Sequence, residues 1–211
     1  MRVDIWSDII CPWCYVGKAR FEKALNAFAH AGEVEVVYHS FELDPNSPRG
    51  VSEPNLAVLS KKFGKSPAEA LAMDDHVGRL ARAEGLGFDS GRPVGNTFDI
   101  HRVLHLGLEA GVQRELLDAV NEAYFAQARD VFDRAVLTEV AVGTGLSADE
   151  VGKVSGSDSY ADEVRQDERQ AREIGINGVP FFVFDMALGA SGAQPAELFS
   201  RALEQAWEHT A

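Results

Sequence analysis

The strand-forming sequence of this chain is confined to its two ends. Val3 and Ile5, among bulky neighbours, read as a short strand over Arg2–Ser7. Glu33-Val-Glu-Val-Val-Tyr-His-Ser-Phe41 reads as a second, with Val34, Val36 and Tyr38 on one face. Between them Val16, Ala19, Ala24, Leu25 and Phe28 recur at three- and four-residue steps, a helix that Gly32 should stop. Strand, helix and strand in that order predict a parallel pair joined by a right-handed crossover. From about residue 53 to 174 the pattern is almost wholly helical, with helices expected at 54–63, 67–84, 97–110, 113–127, 134–143 and 159–174. Ser66-Pro67 and Ser147-Ala-Asp-Glu150 carry helix-start signatures. After the turn Gly175-Ile-Asn-Gly178, the continuous apolar run Val179-Pro-Phe-Phe-Val-Phe184 predicts a buried strand. Met186–Ser191 is a short pairing strand, and Gln194-Pro195 opens a final helix to about His209. The class is α/β, with a long helical block between two strand-bearing ends.

Composition excludes several functions. At 211 residues, with 45% hydrophobic and 25% charged residues, the chain can bury a full core. Its 33 acidic and 20 basic side chains leave a net charge of −13. Such a surface does not suit nucleic acid or an anionic membrane, because both require a basic face. Uninterrupted apolar runs are only a few residues long, so no transmembrane helix is expected. Asp4 and Asp8 interrupt any apolar signal-peptide core, and a cytoplasmic location is expected. In that compartment a cysteine pair is more often catalytic or metal-binding than structural.

The chain has two cysteines, in Cys11-Pro-Trp-Cys14, where the first strand hands over to the first helix. A helix N-terminus presents unpaired N–H groups and partial positive charge, which favours a reactive thiolate at Cys11. Pro12 suits the first helical turn. Cys14, one turn further in, should be more buried and able to resolve a mixed disulfide formed at Cys11. The alternatives are a chance pair or half of a zinc site, which needs four ligands. His101 and His105 are the other candidate ligands, but they lie far beyond finger spacing, and no metal site is expected. Pro180 opens the buried strand, and its peptide bond is either cis or, as at many strand starts, trans.

These features together resemble the DsbA-like thioredoxin-fold oxidoreductases, and more closely their FrnE-type branch. The resemblance rests on Cys11-Pro-Trp-Cys14 after the first strand, the helical insertion, and Gly175-Ile-Asn-Gly-Val-Pro-Phe-Phe-Val-Phe184 before a final β–α pair. Phe41-Glu-Leu-Asp-Pro45, Asn96-Thr-Phe-Asp-Ile-His-Arg102 and Ser191-Gly-Ala-Gln-Pro195 are similar to that branch. It implies a thioredoxin-like domain of residues 1–43 plus 175–211, with an all-helical insertion domain of residues 44–174 that roofs the site. It makes Cys11 the nucleophile and Cys14 the resolving thiol. Val179-Pro180 becomes a cis peptide facing them, where an extended substrate can pair with the Val179 backbone. Pro12 and Trp13 then form the groove wall, and Asn96, His101 and Arg102 are groove candidates, with a surface or capping role as the alternative. His39, at a strand end, is read as structural.

The implied activity is thiol–disulfide exchange on protein or small-molecule disulfides and thiols. No cofactor beyond the dithiol is expected, and glutathione is a candidate co-substrate. Kappa-class glutathione transferases and hydroxychromene-carboxylate isomerases share this fold, so a glutathione-dependent isomerase or transferase is the competing function. Those enzymes usually carry Ser at the Cys11 position and lack the second cysteine. One departure concerns Trp13, where periplasmic DsbA proteins carry His. Indole has one N–H and no charge, which predicts a less oxidising couple.

Overall fold

The computed structural model describes residues 1–210. Its strands are β1 (Arg2–Ser7), β2 (Glu35–Ser40), β3 (Ser52–Pro54), β4 (Pro93–Gly95), β5 (Phe181–Phe184) and β6 (Leu188–Ser191). Its α-helices are α1 (Pro12–Ala27), α2 (Asn55–Phe63), α3 (Pro67–Ala83), α4 (Phe98–Glu109), α5 (Gln113–Asn121), α6 (Arg134–Val142), α7 (Ala148–Ser155), α8 (Ala161–Glu173) and α9 (Ala196–Thr210). The chain divides into two compact units. One is Met1–Leu43 with the chain from Arg165 onward, and the other is Asp44–Val164.

The first unit holds a sheet whose strand order, among the described residues, is β2-β1-β5-β6. β1 and β2 run parallel, with Val3 opposite Val36 and Trp6 opposite His39. β5 runs antiparallel to β1, with Ile5 opposite Phe182 and Trp6 opposite Phe181. Alternation then sorts the side chains onto two faces. On one, Phe21 of α1 lies 5.4 Å from Phe182 and 5.8 Å from Phe199 of α9, ring centre to ring centre. All three are fully buried, each contributing roughly 1.5–3 kcal/mol. On the other, Trp6 and Val183 close a core with Ala171 of α8 and Ile176.

Among the boundaries that differ from the sequence reading, two lie at the start of the first unit. α1 ends at Ala27 rather than near Gly32, because Phe28 turns extended and packs edge-on against Trp207, 5.9 Å away. β2 begins at Glu35 rather than Glu33, because Ala31–Glu33 forms a 3-10 turn. The chain also rejoins the first unit at Arg165, ten residues before the expected return at 175. The reason lies in α8, whose Asp167 and Ala171 bind to the sheet through His39, Ser40 and Trp6.

The second unit is mainly helical. Ser66 and Ser147 form capping boxes with Glu69 and Glu150, as their spacing predicts. α5 continues into a π-helical turn, Glu122–Ala126. One short antiparallel ribbon, β3 with β4, interrupts the helical block. The irregular stretch before β4 is held by Arg92. Its buried guanidinium pairs with Asp74 at 2.6 Å and lies over the Phe88 and Phe125 rings. Among the described residues no helix is long and apolar enough to cross a membrane.

Candidate active site

The site begins where β1 ends. Asp8 is 2% exposed, and its carboxylate accepts the Ile9 N–H at 2.8 Å and the Leu43 N–H at 2.7 Å. The turn closes with the Cys11 N–H on the Asp8 carbonyl at 3.2 Å. Cys11 is extended (φ −84°, ψ 108°), and Pro12 then fixes the first helical turn of α1. The Cys11 carbonyl accepts the N–H groups of Cys14 and Tyr15 at 3.0 and 3.3 Å, so the sulfur of Cys11 stands at the helix N-terminus. Both cysteines are free thiols.

The two sulfurs occupy different surroundings. The thiol of Cys11 lies 3.6 Å from the Val179 carbonyl oxygen, within hydrogen-bond reach for sulfur. Burial pushes the Cys14 thiol well up, and its hydrogen bond to the Cys11 sulfur and the charge there push it further. Exposure does not separate them, contrary to the expectation that Cys14 would be the more buried: Cys11 is 4% and Cys14 7% exposed. The asymmetry therefore lies in hydrogen bonding and helix position. Trp13, between them, is 40% exposed, and Pro12 is half-buried.

The Val179–Pro180 peptide bond is cis. Pro180 rests against α1 at Gly17. A Cβ at Gly17 would lie 3.0 Å from the Pro180 ring and 3.3 Å from the Ala193 backbone. A side chain there would hold α1 away from the segment that carries Val179.

A family model, the DsbA-like thioredoxin domain, matches residues 2–204. The chain belongs to the DsbA-like thioredoxin family. A solved structure described as a probable DsbA oxidoreductase from Streptomyces coelicolor is 55% identical. It superimposes with a TM-score of 0.94, covering 99% of this chain and 90% of that one. The uncharacterized protein YwbO of Bacillus subtilis is 27% identical over 207 residues, covering 96% of each chain. The cytosolic disulfide reductase DsbM from Pseudomonas aeruginosa, solved with GSH, is 18% identical. Its TM-score is 0.68, over 99% of this chain and 100% of that one, a likeness of fold. The architecture is thus the thioredoxin-like DsbA fold with a helical insertion.

Within this DsbA-like chain, Cys11, Cys14, Pro12, Trp13, Val179 and Pro180 all belong to the first unit. Asn96 and His101 belong to the second. There, Asn96 donates to the Ser47 carbonyl at 3.0 Å and accepts the Phe98 N–H at 3.0 Å, tying the loop after Asp44 to the start of α4. His101 is 2% exposed. Arg102 is fully buried and donates to the carbonyls of Val154, Ser157 and Ser159 and to Asp99, which makes it a clamp on the end of α7. Among the described residues no three His, Cys, Asp or Glu side chains converge as metal ligands.

Sequence reasoning missed three contributors. Sequence reasoning names Asp8 only as interrupting an apolar run; its place three residues before Cys11 is the available signal. Gly17, a glycine inside an otherwise good helix, signalled close approach. Asp167 carried no signal, because only the fold brings it to His39.

Proposed function

We propose that this DsbA-like protein is a thiol–disulfide oxidoreductase working through Cys11 and Cys14 in the cytoplasm. One observation carries the reading: two free thiols in one helical turn, Cys11 at the N-terminus of α1 and Cys14 three residues further in, with the Cys14 thiol pushed up by burial. In the first step the Cys11 thiolate attacks one sulfur of a substrate disulfide. A Cys11–substrate disulfide forms and the other substrate sulfur leaves as a thiolate. Cys14 then gives up its proton and attacks the Cys11 sulfur. The second substrate thiolate leaves, and the Cys11–Cys14 disulfide remains. The substrate has gained two electrons and the dithiol has lost two. Two equivalents of a thiol such as glutathione restore the dithiol by the reverse exchanges. The Val179 backbone beside Cys11 offers main-chain groups to an extended substrate segment without reading its side chains, and the exposed Trp13 supplies apolar contact. Cytoplasmic residence is supported by likeness to the fold of a cytosolic disulfide reductase.

Insulin reduction by dithiothreitol, followed with thiol titration, tests this. The wild type should accelerate it and Cys11→Ser should not. A Cys11→Ser variant as active as wild type would refute the role of the dithiol. Cys14→Ser addresses the competing isomerase or transferase reading, in which one group at the Cys11 position suffices. Turnover that survives Cys14→Ser undiminished would favour that reading.

A further inference from the structure

On the sheet face opposite α1 and α9, His39 of β2 lies between two carboxylates. Its Nε2 is 2.6 Å from Asp4 Oδ1 on β1, and its Nδ1 is 2.7 Å from Asp167 Oδ1 on α8. The imidazole is 10% exposed and the carboxylates 6% and 9%. A neutral imidazole has one N–H, and its other nitrogen is an acceptor. With both carboxylates ionised, two contacts this short are therefore both attractive only when the ring carries two protons. The carboxylates are already committed as acceptors: Asp4 to Arg2 at 2.7 Å, and Asp167 to the Ser40 N–H at 2.8 Å. The extra proton thus belongs on His39. The charged groups around the ring are Asp4 and Arg2 from β1, Asp167 from α8 and, behind Arg2, Glu35 of β2 itself. Burial alone would push His39 down, but the bonds to Asp167 and Asp4 outweigh it and raise it to about 8.

The cluster connects to the dithiol by packing. Trp6 stacks on the His39 ring, centres 4.4 Å apart and planes 16° from parallel, and donates its indole N–H to the Asp167 carbonyl at 3.0 Å. Trp6 closes a core with Ala171, Ile176 and Val183, and Val179 packs against that core. Val179 is the residue whose carbonyl faces the Cys11 thiol.

We propose that His39 is a positioning residue for the dithiol: clasped as an imidazolium between Asp4 and Asp167, it fixes α8 and Trp6 and, through them, the Val179 carbonyl beside Cys11. Loss of its proton turns one of the two contacts repulsive and loosens that carbonyl. The inference rests on the proposed function only for the chemistry Cys11 performs. The test therefore reads Cys11 by alkylation and not by turnover.

The full chain is labelled with nitrogen-15, and the His39 ring is followed by NMR across pH 6 to 10, a range spanning the ordinary and shifted histidine values. Cys11 alkylation by iodoacetamide is followed by mass spectrometry over the same range. In the wild type the ring should hold both protons at neutral pH and titrate near 8. The alkylation profile should carry an inflection at that pH besides that of the thiol. In Asp167→Asn the amide donates to a neutral Nδ1 while its oxygen keeps the Ser40 N–H, so that inflection should disappear. His39→Gln, which cannot titrate, should lack it too. A ring titrating near the ordinary histidine value of about 6.5, or a wild-type profile without the inflection, would overturn the proposal. So would an inflection that persists in Asp167→Asn, which does not depend on the folding of His39→Gln. Failure of disulfide exchange with the inflection present would instead count against the proposed function alone.

Discussion

In the proposed mechanism Cys11 attacks first and Cys14 second. Burial and the neighbouring Cys11 sulfur push the Cys14 thiol up, which suits a group that acts only after Cys11 has been consumed in a mixed disulfide. Trp13 sits between the two, exposed and uncharged. Replacing it with His would put a group that can carry positive charge beside the Cys11 sulfur. A stabilised thiolate stabilises the reduced form, so Trp13→His should raise the reduction potential in a glutathione titration; a lower or unchanged potential would contradict this. Asp8 acts through the backbone. Asp8→Ala would leave the Ile9 and Leu43 N–H groups without their acceptor, at about 1–3 kcal/mol for the buried Ile9 group and less for the exposed Leu43, which water can reach. Asp8→Asn keeps one acceptor oxygen and should recover part of the loss. Urea unfolding of the two variants should rank them in that order, and equal midpoints would show that the carboxylate bonds contribute nothing.

At the level of elements, β1, β2 and β5 were legible because each is rich in β-branched or aromatic residues beside turn residues, whereas β6, Leu188-Gly-Ala-Ser191, was marked only by the turn at Asp185 before it. β3 and β4 were not legible. Each is three residues long with a proline at one end, too short for alternation to show. The return at Arg165 was hidden for a different reason. α8 is one uninterrupted periodic helix, and the chain divides within it, which periodicity alone does not mark. The dithiol was legible because local spacing and helix position make it, whereas the His39 clasp joins residues more than a hundred positions apart. Within α1, Ala at Gly17 would gain about 1 kcal/mol in helix propensity. It would also press on Pro180 and the Ala193 backbone, and overpacking of this kind costs typically about 1–3 kcal/mol. Gly17→Ala should therefore lower the melting temperature despite the better helix former; a rise would show that the Pro180 segment yields freely. The attachment of α8 to β1 and β2 should depend on pH. Because His39 is raised from 6.5 to about 8, its contribution, about 2 kcal/mol at 1.36 kcal/mol per unit, is full below pH 6.5 and is lost as pH rises through about 8. The urea midpoint of the wild type should fall across that window and that of His39→Gln should not. Parallel curves would remove the clasp from the stability of the fold.

For the whole molecule, a thioredoxin-like sheet built from both ends of the chain brings Val179 to Cys11, 168 positions apart, while the intervening residues fold into their own helical unit. Family membership follows from the match over residues 2–204; the substrate chemistry rests on what the two sulfurs can do. Asn96 and His101 lie in the second unit, where Asn96 binds the Ser47 carbonyl and the Phe98 N–H. The central claim is that Cys11 attacks first and Cys14 resolves. Incubating Cys14→Ser with glutathione disulfide and weighing the intact chain tests it directly. The account predicts one glutathionyl group per chain, mapped to Cys11, that persists in the variant. In the wild type the same adduct should be replaced by the Cys11–Cys14 disulfide. No adduct on Cys11, or a wild-type adduct that Cys14 leaves in place, would contradict it.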